Sequence, residues 1–248
     1  MANQYFRIGI CGEPGSGKTT IIKTIRKDAK ILILNTEGGL NSIAGYLELN
    51  KNNVSVKNIN TYEDINKLKK YTNDDVKDFN YIVVDTLSFK YKVIARHYIK
   101  DTQKVANVNE IQHYNQMSID LFDVLNAFKN LNVNIIFLIH TKNITDKFQQ
   151  RFIQLDFVGN QAYSYIMNDL DFIFYITKPP KKGGEDRCLI TQNMQIPEPD
   201  NRILEFCKKR DEFNVIKPVV NANINELLTN FITQRNNILK QQQLKEIN

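Results

Sequence analysis

Gly12-Glu13-Pro14-Gly15-Ser16-Gly17-Lys18-Thr19 carries every fixed position of the GxxxxGK[ST] phosphate-binding loop. The apolar run Phe6-Arg7-Ile8-Gly9-Ile10-Cys11 before it reads as a buried strand, and Thr20-Ile21-Ile22-Lys23-Thr24-Ile25-Arg26 after it reads as a helix. Strand, loop and helix in that order are the context in which this motif takes a nucleoside triphosphate, ATP or GTP, with Mg²⁺. Gly12, Gly15 and Gly17 let backbone N–H groups converge on a phosphate, and the positive end of the following helix adds favourable electrostatics. Lys18 is placed to reach the β- and γ-phosphates, and the Thr19 hydroxyl to ligate Mg²⁺. Glu13, Pro14, Ser16 and Thr20 complete the nucleotide-facing stretch.

Outward from the loop, apolar runs alternate with helical patterns, which predicts an α/β fold with a mainly parallel central sheet and helices on both faces. Lys30-Ile31-Leu32-Ile33-Leu34-Asn35 is a buried-strand run that ends at Thr36-Glu37-Gly38-Gly39. Val54-Ser55-Val56-Lys57-Asn58-Ile59 reads as an edge strand, and Thr61 with an acid three residues on reads as a helix start. Tyr81-Ile82-Val83-Val84-Asp85 and Asn134-Ile135-Ile136-Phe137-Leu138-Ile139-His140 are further central strands. Between them, Ile111, Tyr114, Met117, Leu121, Phe122, Leu125 and Phe128 recur at helical spacing. Asp171-Phe172-Ile173-Phe174-Tyr175-Ile176 and Arg187-Cys188-Leu189-Ile190-Thr191 read as a hairpin around Lys178-Pro179-Pro180-Lys181-Lys182-Gly183-Gly184. Ile224, Leu227, Leu228, Phe231 and Ile232 predict an amphipathic C-terminal helix, so residues 1–222 read as the core and residues 223–248 as a helix with a polar tail.

Three strand ends carry candidate chemistry. Asp85 closes its strand where a Walker B carboxylate holds the Mg²⁺ shell, the alternative being an Asp that caps the following loop. The next residue is Thr86 rather than Glu, so a water-activating base must come from elsewhere or turnover is slow. Glu37, at the end of the strand that starts at Lys30, is that candidate, because ligands of open sheets gather at the carboxyl ends of strands. The competing reading makes it a solvated turn acid. His140 ends a strand at the same edge, either to sense the γ-phosphate or in a purely structural role.

The bulk properties fit one sizeable domain: 248 residues, net charge +6, and no apolar run near the roughly 20 residues of a membrane-spanning helix. The first residues lack a basic segment followed by an apolar one, so a cytoplasmic protein without membrane attachment is expected. Cys11, Cys188 and Cys207 show no metal-binding spacing and are expected to be free thiols. The positive charge suits a nucleic-acid partner and equally a solvated, Lys-rich surface.

The loop, Thr36-Glu37-Gly38-Gly39, Asp85-Thr86-Leu87-Ser88 and Leu138-Ile139-His140-Thr141 together resemble the RecA-like branch of P-loop ATPases. More closely, they resemble phage-type nucleotide-binding proteins of the AAA class that include RecA-like single-strand annealing proteins. The resemblance covers about residues 5 to 210 and implies a RecA-like P-loop fold with Glu37 as catalytic base, Asp85 as metal carboxylate and His140 as sensor. It also implies ATP-dependent work on single-stranded DNA in recombination, annealing, repair or replication. Because the first core strand starts near Tyr5, no linker strand for filament formation is expected, which leaves a ring or short homo-oligomer. DNA contacts are expected from Lys90, Tyr91, Lys92, Arg96, Tyr98 and Lys100, and from a loop over residues 142–151 with Lys142, Lys147, Phe148 and nearby Phe152. Lys178, Lys181, Lys182 and Arg187 are either a solvated turn or a source of a cation for a neighbouring subunit's γ-phosphate.

Overall fold

Unbroken apolar runs become strands covered on both sides. A computed structural model describes residues 5–88, 110–157, 160–178, 187–196, 200–211 and 213–246. The first half contains strand β1 (Arg7–Gly12), a 3₁₀ helix (Thr19–Thr24), β2 (Ile31–Asn35), a second 3₁₀ helix (Leu40–Ile43) and α1 (Ala44–Leu49). It continues with β3 (Val54–Asn58), α2 (Tyr62–Leu68), α3 (Asn73–Val76) and β4 (Tyr81–Asp85). Then come α4 (Glu110–Lys129), β5 (Asn134–Thr145), β6 (Arg151–Leu155), α5 (Asn160–Asp169), β7 (Phe172–Thr177) and β8 (Cys188–Ile190). Short strands β9 (Met194–Gln195), β10 (Ile203–Leu204), β11 (Lys208–Lys209) and β12 (Val219–Asn221) precede α6 (Ile224–Glu246).

Among the described residues the main sheet runs β12-β8-β7-β1-β5-β4-β2-β3. It is parallel from β7 to β3 and antiparallel where β8 pairs with β7 and β12 with β8. The strand bearing Asp85 is thus separated from the P-loop strand by β5, and the fold is the expected RecA-like P-loop arrangement. Successive side chains of a strand point to opposite faces, so each central strand feeds two cores. Leu32, Leu34, Val84, Ile135 and Phe137 pack with Met117, Leu121, Val124 and Phe128 of α4. Ile31, Ile33, Val83, Ile136 and Leu138 pack on the other side with Ile21, Ile22 and, from α6, Ile224, Leu227, Leu228 and Phe231. The Thr61 start is borne out: its side chain accepts from the Asp64 N–H, and Asp64 reaches back to the Thr61 N–H in a capping box.

Two expectations need correction. The helix predicted for residues 20–26 is a six-residue 3₁₀ helix over Thr19–Thr24. Its run of β-branched Thr and Ile is a poor α-helix former, and Ile21 and Ile22 are held by burial instead. The strand expected to stop at His140 continues to Thr145 and pairs antiparallel with β6, so residues 142–151 form a hairpin rather than a loop. Residues 90–100 and Lys181 and Lys182 lie outside the described residues. Cys11, Cys188 and Cys207 are free thiols.

Candidate nucleotide site

Parallel register puts the candidate residues on one edge. Gly12 stands opposite His140, Asp85 opposite Leu138, and Asn35 opposite Asp85. The chain leaving β2 is pinned to the chain leaving β4, since the Thr36 N–H donates to the Asp85 carbonyl at 2.7 Å and the Thr86 N–H to Thr36 Oγ1 at 2.9 Å. Lys18, Thr19, Glu37, Thr86 and His140 consequently line one cavity of about 390 Å³ with Gly15, Gly17 and Arg187.

Within that cavity the loop is wound tightly. Gly15 and Gly17 sit at φ of 76° and 99°, values that side-chain-bearing residues seldom adopt, and a Cβ on Gly12 would strike Ser16 Oγ and Ile176. Lys18 is only 5% exposed, and its Nζ donates to the carbonyls of Gly12 at 2.8 Å and Glu13 at 2.9 Å. Burial lowers the Lys18 ammonium from its ordinary pKa, against the charges of Glu37 and Asp85. The Thr19 hydroxyl donates to Asp85 Oδ2 at 2.9 Å. Asp85 is 2% exposed, and burial pushes its carboxyl up, against that hydrogen bond. A hydroxyl and a buried carboxylate are hard oxygen donors of the kind Mg²⁺ takes beside phosphates, and Ser16 Oγ is a buried hydroxyl left without a hydrogen-bond partner at the same loop. Both observations fit a loaded Mg²⁺–nucleotide site.

Glu37 lines the cavity edge and is still exposed there, with its carboxylate held by His140. Its two carboxylate oxygens lie 3.0 and 2.9 Å from His140 Nε2, and Thr86 Oγ1 donates to it at 3.4 Å. His140 is fixed from its backbone, where its N–H donates to Ser88 Oγ at 2.9 Å and its carbonyl accepts from the Asp156 N–H at 2.8 Å.

The profile of the AAA domain family matches residues 4–197. The chain belongs to the AAA domain family. No curated protein matches this sequence. Among solved structures, a type III secretion system ATPase of pathogenic bacteria is similar, at 15% identity and a TM-score of 0.43. The match covers 70% of this chain and 51% of that one, so this chain spans about half the length of the secretion ATPase. The AAA domain described above is a P-loop ATPase domain, and among its described residues no helix is long and apolar enough to cross a membrane.

Beside the loop of this AAA domain the structure also puts Arg187, which the sequence offered to a neighbouring subunit, and Asn143 and Arg202, which escaped the sequence reading. Arg187 Nη1 donates to the Gly15 carbonyl at 3.3 Å, which places it on its own chain's loop. Glu13 accepts from Asn143 Nδ2 at 2.9 Å and from Arg202 Nη1, and Arg202 also donates to Asn143 Oδ1 at 2.6 Å and to both oxygens of Asp200. Burial opposes, but hydrogen bonds from Arg202 and Asn143 hold the Glu13 carboxyl below its ordinary pKa. Asn143 lies on the hairpin extension of β5, so a polar network joins the P-loop to the hairpin. The β-branched Thr141, Ile144 and Thr145 were a usable strand signal; nothing local marks Arg202.

At the hairpin turn, Asp146 Oδ1 accepts from the N–H groups of Phe148 at 2.8 Å and Gln150 at 2.9 Å. This holds Phe148 72% exposed, with Lys147 Nζ 5.0 Å from its ring centre. Lys142 is directed away from the tip, donating to the Phe157 carbonyl at 3.4 Å, and Phe152 is half-buried opposite Ile144, one pair in from the turn. Lys178 is exposed.

Proposed function

We propose that this AAA domain binds ATP with Mg²⁺, hydrolyses it, and uses its nucleotide state to control contact with single-stranded DNA in recombination, annealing, repair or replication of the phage type. The observation that carries the nucleotide part is the convergence of Lys18, the Thr19–Asp85 pair and Glu37 on one cavity. Water loses a proton to Glu37 as its oxygen attacks the γ-phosphorus. The bond from the γ-phosphorus to the β,γ-bridging oxygen then breaks, and ADP leaves with the electron pair. Lys18 leaves the Gly12 and Glu13 carbonyls for the β- and γ-phosphates, offsetting their charge. Mg²⁺ on Thr19 and Asp85 supplies further charge neutralisation when bound.

The DNA part is supported by the β5–β6 hairpin, whose tip presents an exposed ring beside a cation, the pairing that stacks on a base and meets a phosphate. The network from Glu13 through Asn143 gives nucleotide a route to that hairpin. Anisotropy of a labelled single-stranded oligonucleotide, read without nucleotide, with ADP and with a non-hydrolysable ATP analogue, tests this reading. Affinity is expected to differ between nucleotide states; identical or absent binding in all three removes the DNA part.

A second reading draws on two features. Both Glu37 oxygens are engaged by His140 and no Glu follows Asp85, which suits a nucleotide-gated adaptor with little turnover. A measured turnover near zero alongside nucleotide-dependent DNA binding selects it.

A further inference from the structure

We propose that Arg187 completes the triphosphate site of its own chain, contacting the phosphates in cis. The inference rests on the nucleotide reading above and goes beyond it by assigning a second phosphate cation and the subunit that supplies it.

Arg187 immediately precedes β8, and the pairing of Cys188 with Thr177 brings it to the end of β7, next to the loop. Its backbone is anchored from the other side by the Ala222 N–H, which donates to the Arg187 carbonyl at 3.0 Å. The guanidinium then lies directly over Gly17, where a Cβ would collide with its Nη1 and Cζ atoms. Glycine at position 17 therefore does two things: it takes the positive φ, and it opens the space that the guanidinium fills.

Chemistry favours a phosphate as the ligand of this group. A guanidinium has five N–H donors in a planar fork that matches phosphate oxygens two at a time, whereas the Lys18 ammonium is a point charge. The observed bond to the Gly15 carbonyl uses a single Nη1 donor and aims the side chain along the loop toward the cavity shared with Lys18, Thr19 and Glu37. Glu37 lines that cavity, Asp85 holds Thr19 beside it, and a triphosphate adds more negative charge, which Lys18 and a bound Mg²⁺ would share with a second side-chain cation. Arg187 supplies the second. During hydrolysis it donates to oxygens that gain charge as the bond to the bridging oxygen breaks. An expectation that a cation of this hairpin serves a neighbouring subunit is thus replaced, for Arg187, by one that serves its own.

Steady-state ATP turnover and binding of a fluorescent ATP analogue test this with wild type, R187A, R187K, E37Q and an equimolar mixture of R187A with E37Q. Losing the cation is expected to lower turnover roughly 10²–10³-fold, the effect of removing one donor to a developing charge. R187K, which keeps the charge but not the fork, is expected between R187A and wild type, and thermal melts report whether both are folded. In cis, the mixture shows no more activity than its components measured apart. Recovery in the mixture places the cation in trans and overturns the assignment, as does wild-type turnover in folded R187A. If the wild type binds no ATP analogue, the nucleotide reading itself fails, and the cis assignment with it.

Discussion

Glu37 and His140 meet although 103 residues separate them, because Glu37 follows the end of β2 and His140 stands where β5 leaves its parallel pairing with β1, at the same sheet edge. That contact assigns Glu37 a position from which a carboxylate can take a proton from water, and His140 a position to hold or release it. E37Q keeps the shape and loses the base, so turnover is expected to fall by about 10²–10⁴-fold while affinity for an ATP analogue stays near wild type. A parallel loss of binding, measured by titration, would show that Glu37 acts structurally. Asp85 gives a signed pH effect. Its folded pKa is raised by burial, so its contribution to stability is fully present below its unfolded pKa and is lost as pH rises through the folded value. Nucleotide-free D85N is therefore expected to be more stable than wild type near neutral pH, with the difference shrinking toward acid, in urea melts across pH. The same variant should lose the extra stability that Mg²⁺ with nucleotide gives the wild type. Lys18 was legible from the phosphate-loop motif, and Glu37, Asp85 and His140 because a switch from an apolar run to polar residues marks where a strand leaves the core. Arg187 was marked only as a cation for a neighbouring subunit, and Arg202 was not legible at all: Glu13 and Arg202 are 189 residues apart, and only the folded sheet brings them together.

The β5–β6 hairpin is the element that sequence reading misjudged. Beyond His140 the strand leaves the core, its burial drops, and the unbroken apolar signal disappears while the ladder with β6 continues. The 3₁₀ helix after the P-loop was misjudged for the converse reason, since β-branched residues fit the apolar spacing of an α-helix but not its crowding. The six-residue helix leaves phosphate recognition to the loop's own N–H groups, Lys18 and Arg187 more than to a helix dipole. At the hairpin tip, the double substitution K147A/F148A removes a cation and an exposed ring outside the core. Oligonucleotide affinity is expected to weaken by about 1–3 kcal/mol, with global stability within about 0.5 kcal/mol of wild type. Unchanged affinity by anisotropy would exclude the tip as the DNA contact.

At the scale of the molecule, an eight-strand path among the described residues, sandwiched between two apolar cores, holds the site at one edge. This much was readable in advance, because continuous Ile, Val and Leu runs announce strands buried on both faces and the P-loop fixes which edge binds phosphate. Strand order came only with the structure: pairing of β1 with β5 and β7 depends on packing across the sheet, which no local pattern encodes. The most direct check is steady-state ATP hydrolysis by wild type and K18A, each with and without a single-stranded oligonucleotide. Wild-type turnover that the oligonucleotide stimulates, and that disappears in K18A, is the expected result. Hydrolysis equal in K18A and wild type, or no wild-type hydrolysis under any of these conditions, would contradict an ATPase built on this loop.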